Sequence, residues 1–160
     1  MVELFVDPGL ITGWALFTDK VFSACDRINS RRLEDPMLKA TYIADGVRAV
    51  LQKYQPAACF LEGVDMRGGR GNYSAIMRGD LTRLAYLVGS LQSVAASANC
   101  DAYIVSPLWK GNLPKAAMQM QVKLMCPDII TTTIREHEMD AVAMGVFKYA
   151  DRWIKNWRLG

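Results

Sequence analysis

The sequence predicts an α/β fold class, a sheet flanked by helices, on three observations. The chain opens with a largely apolar stretch around a Pro8-Gly9 turn, Phe5-Val6-Asp7-Pro8-Gly9-Leu10-Ile11-Thr12-Gly13-Trp14-Ala15-Leu16-Phe17, which reads as paired strands. Two later apolar runs, 57–62 and 101–106, have the length of strands. Segments whose apolar residues recur at helical spacing separate and follow these runs. With 160 residues, 51% of them hydrophobic, the chain is expected to build one well-buried domain over 1–160.

Residues 2–7 and 13–18 run or alternate apolar around the turn, and Lys20 to Cys25 offers a third strand, so the N-terminus reads as an antiparallel meander. Asp35 followed by Pro36 is a helix start, with a capping carboxylate and proline at the first helical position. Ala40, Ile43, Val47, Val50, Leu51 and Tyr54 then form the stripe that covers the sheet. Ala57-Ala58-Cys59-Phe60-Leu61-Glu62 reads as a buried strand between Pro56 and Gly63. Residues 63–73, with Gly68, Gly69 and Gly71 among arginines, read as a basic contact loop.

From Ser74, a candidate N-cap, to about Ser97 a helix presents Met77, Leu81, Leu84, Ala85, Val88, Leu91 and Ala95 to the sheet. Ile76, Leu87 and Val94 gather about 90° around from that stripe, a second apolar face suited to a partner subunit or to burial within the monomer. Asp101 to Ser106 reads as a strand, and the loop from Pro107 to Lys115 enters a Met-rich helix from Pro114 to Met125, closed by Pro127. Thr133-Ile134-Arg135-Glu136 fits a capping box, starting a last helix that carries His137, Asp140, Val142, Ala143, Val146 and Phe147 towards Trp153.

Composition narrows the function classes. Cys25, Cys59, Cys100 and Cys126 are widely spaced, and His137 is the single histidine, so no zinc-binding pattern exists and free thiols are expected. Met1 leads straight into a strand, and no apolar run reaches the roughly 20 residues a membrane span needs. A cytoplasmic protein without membrane contact is expected. The net charge of +3 permits nucleic-acid binding without demanding it. Arg67, Arg70, Arg78 and Arg83 lie close together, Lys110 and Lys115 follow, and Lys148, Arg152, Lys155 and Arg158 mark the end; any of these also suits an ordinary solvated surface.

The chemistry rests on acids where apolar elements begin or end. A carboxylate at a strand end needs a cation, a donor cluster or a metal, and Asp7 reads as a Mg²⁺ ligand on which Glu62 and Asp140 converge. Mg²⁺ takes oxygen ligands and few protein carboxylates, and a two-metal site can activate water while stabilising the leaving oxygen of a phosphodiester. On the last helix His137 lies about 60° from Asp140 and shares its face, whereas Glu138 is turned about 160° away. Glu136 is on the right side too, but the capping box already employs it. Asp65 reads as a loop residue.

These residues resemble a family. Phe5-Val6-Asp7-Pro8-Gly9 with Thr12-Gly13, Phe60-Leu61-Glu62, and His137-Glu138-Met139-Asp140-Ala141-Val142-Ala143-Met144-Gly145 are similar, in order and spacing, to the three acidic motifs of RuvC-like Holliday junction resolvases, including their short phage relatives. The resemblance implies an RNase H-like fold, a mixed central sheet of about five strands flanked by helices. It also implies a homodimer, two Mg²⁺ or Mn²⁺ ions per active site, and paired nicking of four-way DNA junctions. Asp7, Glu62 and Asp140 match the family's acids, and His137 stands three before the last one, where many bacterial members carry Asp and some His. An imidazole there can bind metal or polarise the attacking water, and as a softer ligand it favours Mn²⁺.

The resemblance makes Lys110, in Pro107-Leu108-Trp109-Lys110, and Lys115 phosphate contacts. The 66–73 loop, with Arg67, Arg70 and Tyr73, and Arg78 beyond it, is the expected DNA-contacting region; Tyr73 suits stacking on an unpaired base or packing on the protein body. Two competing readings use the same residues. One is an RNase H-like nuclease acting on flaps, forks or RNA-DNA hybrids; the other is a non-catalytic nucleic-acid-binding module.

Overall fold

The computed structural model describes residues 1–64, 78–111, 113–127 and 134–150. Its centre is a five-stranded sheet built from β1 (Val2–Asp7), β2 (Ile11–Thr18), β3 (Val21–Asn29), β4 (Ala58–Glu62) and β5 (Asp101–Val105) in the order β3-β2-β1-β4-β5. The first three strands pair antiparallel, and β4 and β5 join β1 in parallel. The N-terminal meander is therefore present, with β2 and β3 longer than their apolar patterns suggest. Asp19 and Lys20, at φ 51° and 70°, form the β2–β3 turn, whose mirror-image geometry suits the twist of a hairpin. The polar stretch Asp26–Asn29 still pairs with β2, because ladder bonds to a neighbour need no apolar side chains.

Helices cover both faces, so alternate residues of the inner strands are buried on opposite sides. Leu4, Val6, Leu16 and Leu61 pack with Ile43, Val47 and Leu51 of α1 (Pro36–Tyr54) and with Leu87, Leu91, Val94 and Ala95 of α2 (Asp80–Ser97). Phe5, Phe17 and Phe60 pack with Met118 and Val122 of α3 (Lys115–Met125) and with Val142, Met144 and Phe147 of α4 (Glu136–Tyr149). The α1 start is as read: the Asp35 carboxylate accepts from the Met37 and Leu38 amides at 2.6 and 3.2 Å, with Pro36 at the first turn. Gln55, left-handed at φ 46°, ends the helix.

Three expectations about helices need correction. First, α2 begins at Asp80 rather than Ser74, because Gly79 at φ 71° breaks helical geometry just before it; Ser74, Ile76 and Met77 lie outside the described residues. Second, Leu87 and Val94, read as a face for a partner or for burial within the monomer, take the second course: they are 6% and 7% exposed, because α1 packs beside α2 and closes over them, while Ala85 of the expected sheet-facing stripe is exposed. Third, the capping box of α4 does not use Glu136, and Thr133 lies outside the described residues. Arg135 occupies the N-cap position, and its amide donates to Glu138 Oε2 at 2.6 Å. Glu136 is exposed and ion-paired to Lys115. A sequence allows several capping registers, and docking onto the sheet selected the one that buries Glu138.

Candidate active site

Strand register brings the first two acids together. Phe5 lies opposite Phe60 in the parallel β1–β4 pair, and their rings stack at 4.9 Å. Two residues further, Asp7 and Glu62 end the same adjacent strands on the same face. Helix α4 crosses that face and supplies His137 and Asp140 from its first turns, while Lys110 arrives on the short 3-10 turn (Pro107–Lys110) that follows β5. The close approach of α4 depends on two glycines. A Cβ at Gly13 would lie 1.9 Å from the His137 carbonyl oxygen, and one at Gly145 would lie 2.2 Å from the Phe17 ring.

His137 Nδ1 sits 3.1 Å from Asp7 Oδ2. That bond raises the imidazole pKa against the opposing effect of burial, with Glu136 and Asp140 adding to the rise. Lys110 Nζ lies 3.3 Å from Glu62 Oε1. Burial pushes the Glu62 carboxyl up to about 7, Lys110 pulls it down, and Asp7 and Asp140 push it up again. Asp140 is raised by burial and by Asp7, against Lys110 and Lys115. The Lys110 pKa is itself raised: burial works against its charge, and Glu62, Asp140 and Asp7 outweigh burial. One ammonium thus serves three carboxylates that repel one another.

Among the described residues no group of three His, Cys, Asp or Glu side chains is drawn tightly enough to close round an ion. The donor set nevertheless fits a hard divalent cation. It offers carboxylate oxygens and one imidazole, the carboxylates are desolvated and mutually repulsive, and Glu62 Oε2 is buried without a hydrogen-bond partner.

The expected DNA contacts are distributed unevenly. Arg67, Arg70 and Tyr73, like Asp65, lie outside the described residues. Arg78 is exposed and pairs with Asp80 at 2.8 Å; Lys115 pairs with Glu136 beside the acid cluster. Lys148, one of the C-terminal cations, faces inward, bonding Glu3 at 2.7 Å over the Phe60 ring. Sequence reasoning made Lys110 a phosphate contact without foreseeing its place beside Glu62, and it gave no part to Arg27, which reaches Glu138. Glycine at position 13 beside a strand acid was the only local hint of a close backbone approach.

Fold and site together define an RNase H-like α/β domain with a cluster of three carboxylates, a histidine and a lysine at the ends of parallel strands. Over nearly its whole length it is similar to RuvC of Thermus thermophilus in complex with a Holliday junction substrate, with a TM-score of 0.74 and 17% identity, covering 97% of this chain and 96% of that one. The Fowlpox virus Holliday junction resolvase is similar at a TM-score of 0.56 and 14% identity, covering 94% of this chain and 98% of that one. The sequence matches no protein-family model and no curated protein.

Proposed function

We propose that this protein is a metal-dependent, structure-selective DNA endonuclease that resolves four-way junctions by paired nicks. The observation that carries the reading is the assembly of Asp7, Glu62, Asp140 and His137 at one end of the sheet, in a fold shared end to end with a resolvase bound to its junction.

Asp7, Glu62 and Asp140, with His137 as fourth member, would hold Mg²⁺ or Mn²⁺. When bound, such ions supply an activated water and neutralise the charge that develops on the phosphate and the leaving oxygen. The chain's own residues do the rest. Asp7 accepts from Nδ1–H of His137, which fixes the tautomer and leaves Nε2 as the atom that accepts a proton from the attacking water or ligates a metal. Glu62 must be ionised to hold a metal, and with its carboxyl at about 7 in the metal-free fold the cation would compete with a proton in the neutral range. Lys110 compensates the carboxylates and offers a cation to the scissile strand, with Lys115 as a second phosphate contact. The basic segment containing Arg67, Arg70 and Tyr73, with Arg78 after it, is the proposed junction-contacting region.

Paired nicks require two active centres, which supports a homodimer. The interior position of Leu87 and Val94 removes the helix face first read as its interface. Four free cysteines support a reducing compartment such as the cytoplasm. No helix among the described residues is long and apolar enough to cross a membrane.

The test is cleavage of a synthetic four-way junction, a fork and an RNA-DNA hybrid in Mg²⁺ and in Mn²⁺, with Asp7→Asn beside wild type. Symmetric nicks in the junction that disappear in Asp7→Asn are expected. Undiminished cutting by Asp7→Asn would overturn the proposal, and preference for the fork or hybrid would replace its substrate. Sedimentation at micromolar concentration is expected to show a dimer; a monomer with and without junction would remove the basis for paired cuts.

A further inference from the structure

Asp7, Gly13 and Arg27 stand opposite one another on β1, β2 and β3. Directly opposed residues of antiparallel strands project to the same face, so the three form a row across the sheet with an empty place at its middle. The first turn of α4 fills that place. A Cβ on Gly13 would fall 1.9 Å from the His137 carbonyl oxygen and 2.7 Å from the Glu138 amide nitrogen. On one flank Asp7 binds His137 Nδ1 at 3.1 Å. On the other, Arg27 Nε lies 3.6 Å from Glu138 Oε1.

We infer that the Arg27–Glu138 pair is a positioning element of the active centre, fixing the rotation of α4 about its own axis and with it the aim of His137 and Asp140. This inference rests on the nuclease reading of the site. Consecutive helical residues point about 100° apart, so the two grips hold the helix from opposite sides of the glycine notch. The body of α4 is held by Val142, Met144 and Phe147 on the sheet and by Gly145 against the Phe17 ring, but its first turn lies over backbone at Gly13 that offers no side chain, and there the His137 grip alone leaves it room to roll. A roll of about 20° moves an atom about 6 Å from the axis by about 2 Å, well beyond the roughly 0.5 Å tolerance of a working site. The Glu138 carboxylate is suited to the task. It is 7% exposed, and its Oε2 also accepts the Arg135 amide at 2.6 Å, so cap and brace are one group. A half-buried pair of this kind adds little net stability over apolar packing; its effect here is on orientation.

The experiment measures Mn²⁺ affinity by titration calorimetry without DNA, then kcat and KM on the junction, for wild type, Arg27→Met, Arg27→Lys and Glu138→Gln. Arg27→Met is expected to bind Mn²⁺ about tenfold more weakly and to lose kcat by a similar factor, with KM for the junction unchanged. Arg27→Lys should recover most of both. Glu138→Gln keeps an acceptor for the Arg135 amide while dropping the charge that faces Arg27, so it should behave as Arg27→Met does, and it decides the matter if Arg27→Met fails to fold. Mn²⁺ affinity within twofold of wild type in Arg27→Met or Glu138→Gln would overturn the inference. So would a rise in KM with kcat intact, which would make Arg27 a direct DNA contact. A wild type that binds no Mn²⁺ and cuts nothing would instead overturn the nuclease reading on which the inference stands.

Discussion

Replacing Glu62 by Gln should make the protein more stable at neutral pH while abolishing its activity. The Glu62 carboxyl is held at about 7 against an ordinary 4.5, chiefly by burial. A folded-state pKa raised in this way contributes stability that is complete below the unfolded value and is lost as pH rises through the folded one, here between about pH 4.5 and 7. At about 1.4 kcal/mol per tenfold in proton affinity, ionising this group in the fold costs roughly 3 kcal/mol. Gln is a neutral isostere that avoids the cost, and the pull of Lys110 at 3.3 Å is already contained in the value of about 7. The net gain at pH 8 is about 3 kcal/mol, or roughly 6–12 °C in Tm for a chain of this size. The assay is thermal unfolding in chelator at pH 5 and pH 8. The variant should melt above wild type at pH 8 and level with it at pH 5, because the wild-type carboxyl is then protonated in the fold. A variant that melts lower at pH 8, or a gap independent of pH, would refute the reasoning.

His137→Asp should remain active and shift its preference towards Mg²⁺, read as cutting rates in the two metals, because it exchanges an imidazole for an oxygen ligand at the same place; loss of all activity would count against a simple ligand exchange. Gly13→Ala should cost about 2–3 kcal/mol in urea unfolding and most of the cutting rate, because the new methyl meets backbone of α4 at 1.9 Å. Wild-type behaviour of that variant would mean that α4 does not rest on the glycine. Lys110→Met removes the cation that lowers the Glu62 pKa, so the rise of activity with pH should move to higher pH by about one unit, and an unchanged profile would show that Glu62 ionisation does not limit the reaction.

Local pattern settled what local physics controls. The alternation around Phe5 and the Asp35-Pro36 start depend on neighbours within a turn or a strand, so the meander, α1 and the paths of β4 and β5 were legible along the chain, as was the position of Asp7 and Glu62 at strand ends. The ordered motifs carried the expectation of the shared fold. What the chain could not disclose were choices made by contacts distant in sequence. Leu87 and Val94 looked like a docking face because nothing along the helix shows that α1 closes over them. Glu136 was read as the capping residue, and the approach of α4 to Gly13 gave that role to Glu138 instead, turning it inward to Arg27 and leaving Glu136 outside with Lys115. The sequence by itself determined which acids lie at element ends; only the tertiary structure decided that Lys110 stands among them and that a glycine notch seats the helix carrying His137 and Asp140. Burial and the meeting of charges are properties of the packed sheet and helices, and no window of residues contains them.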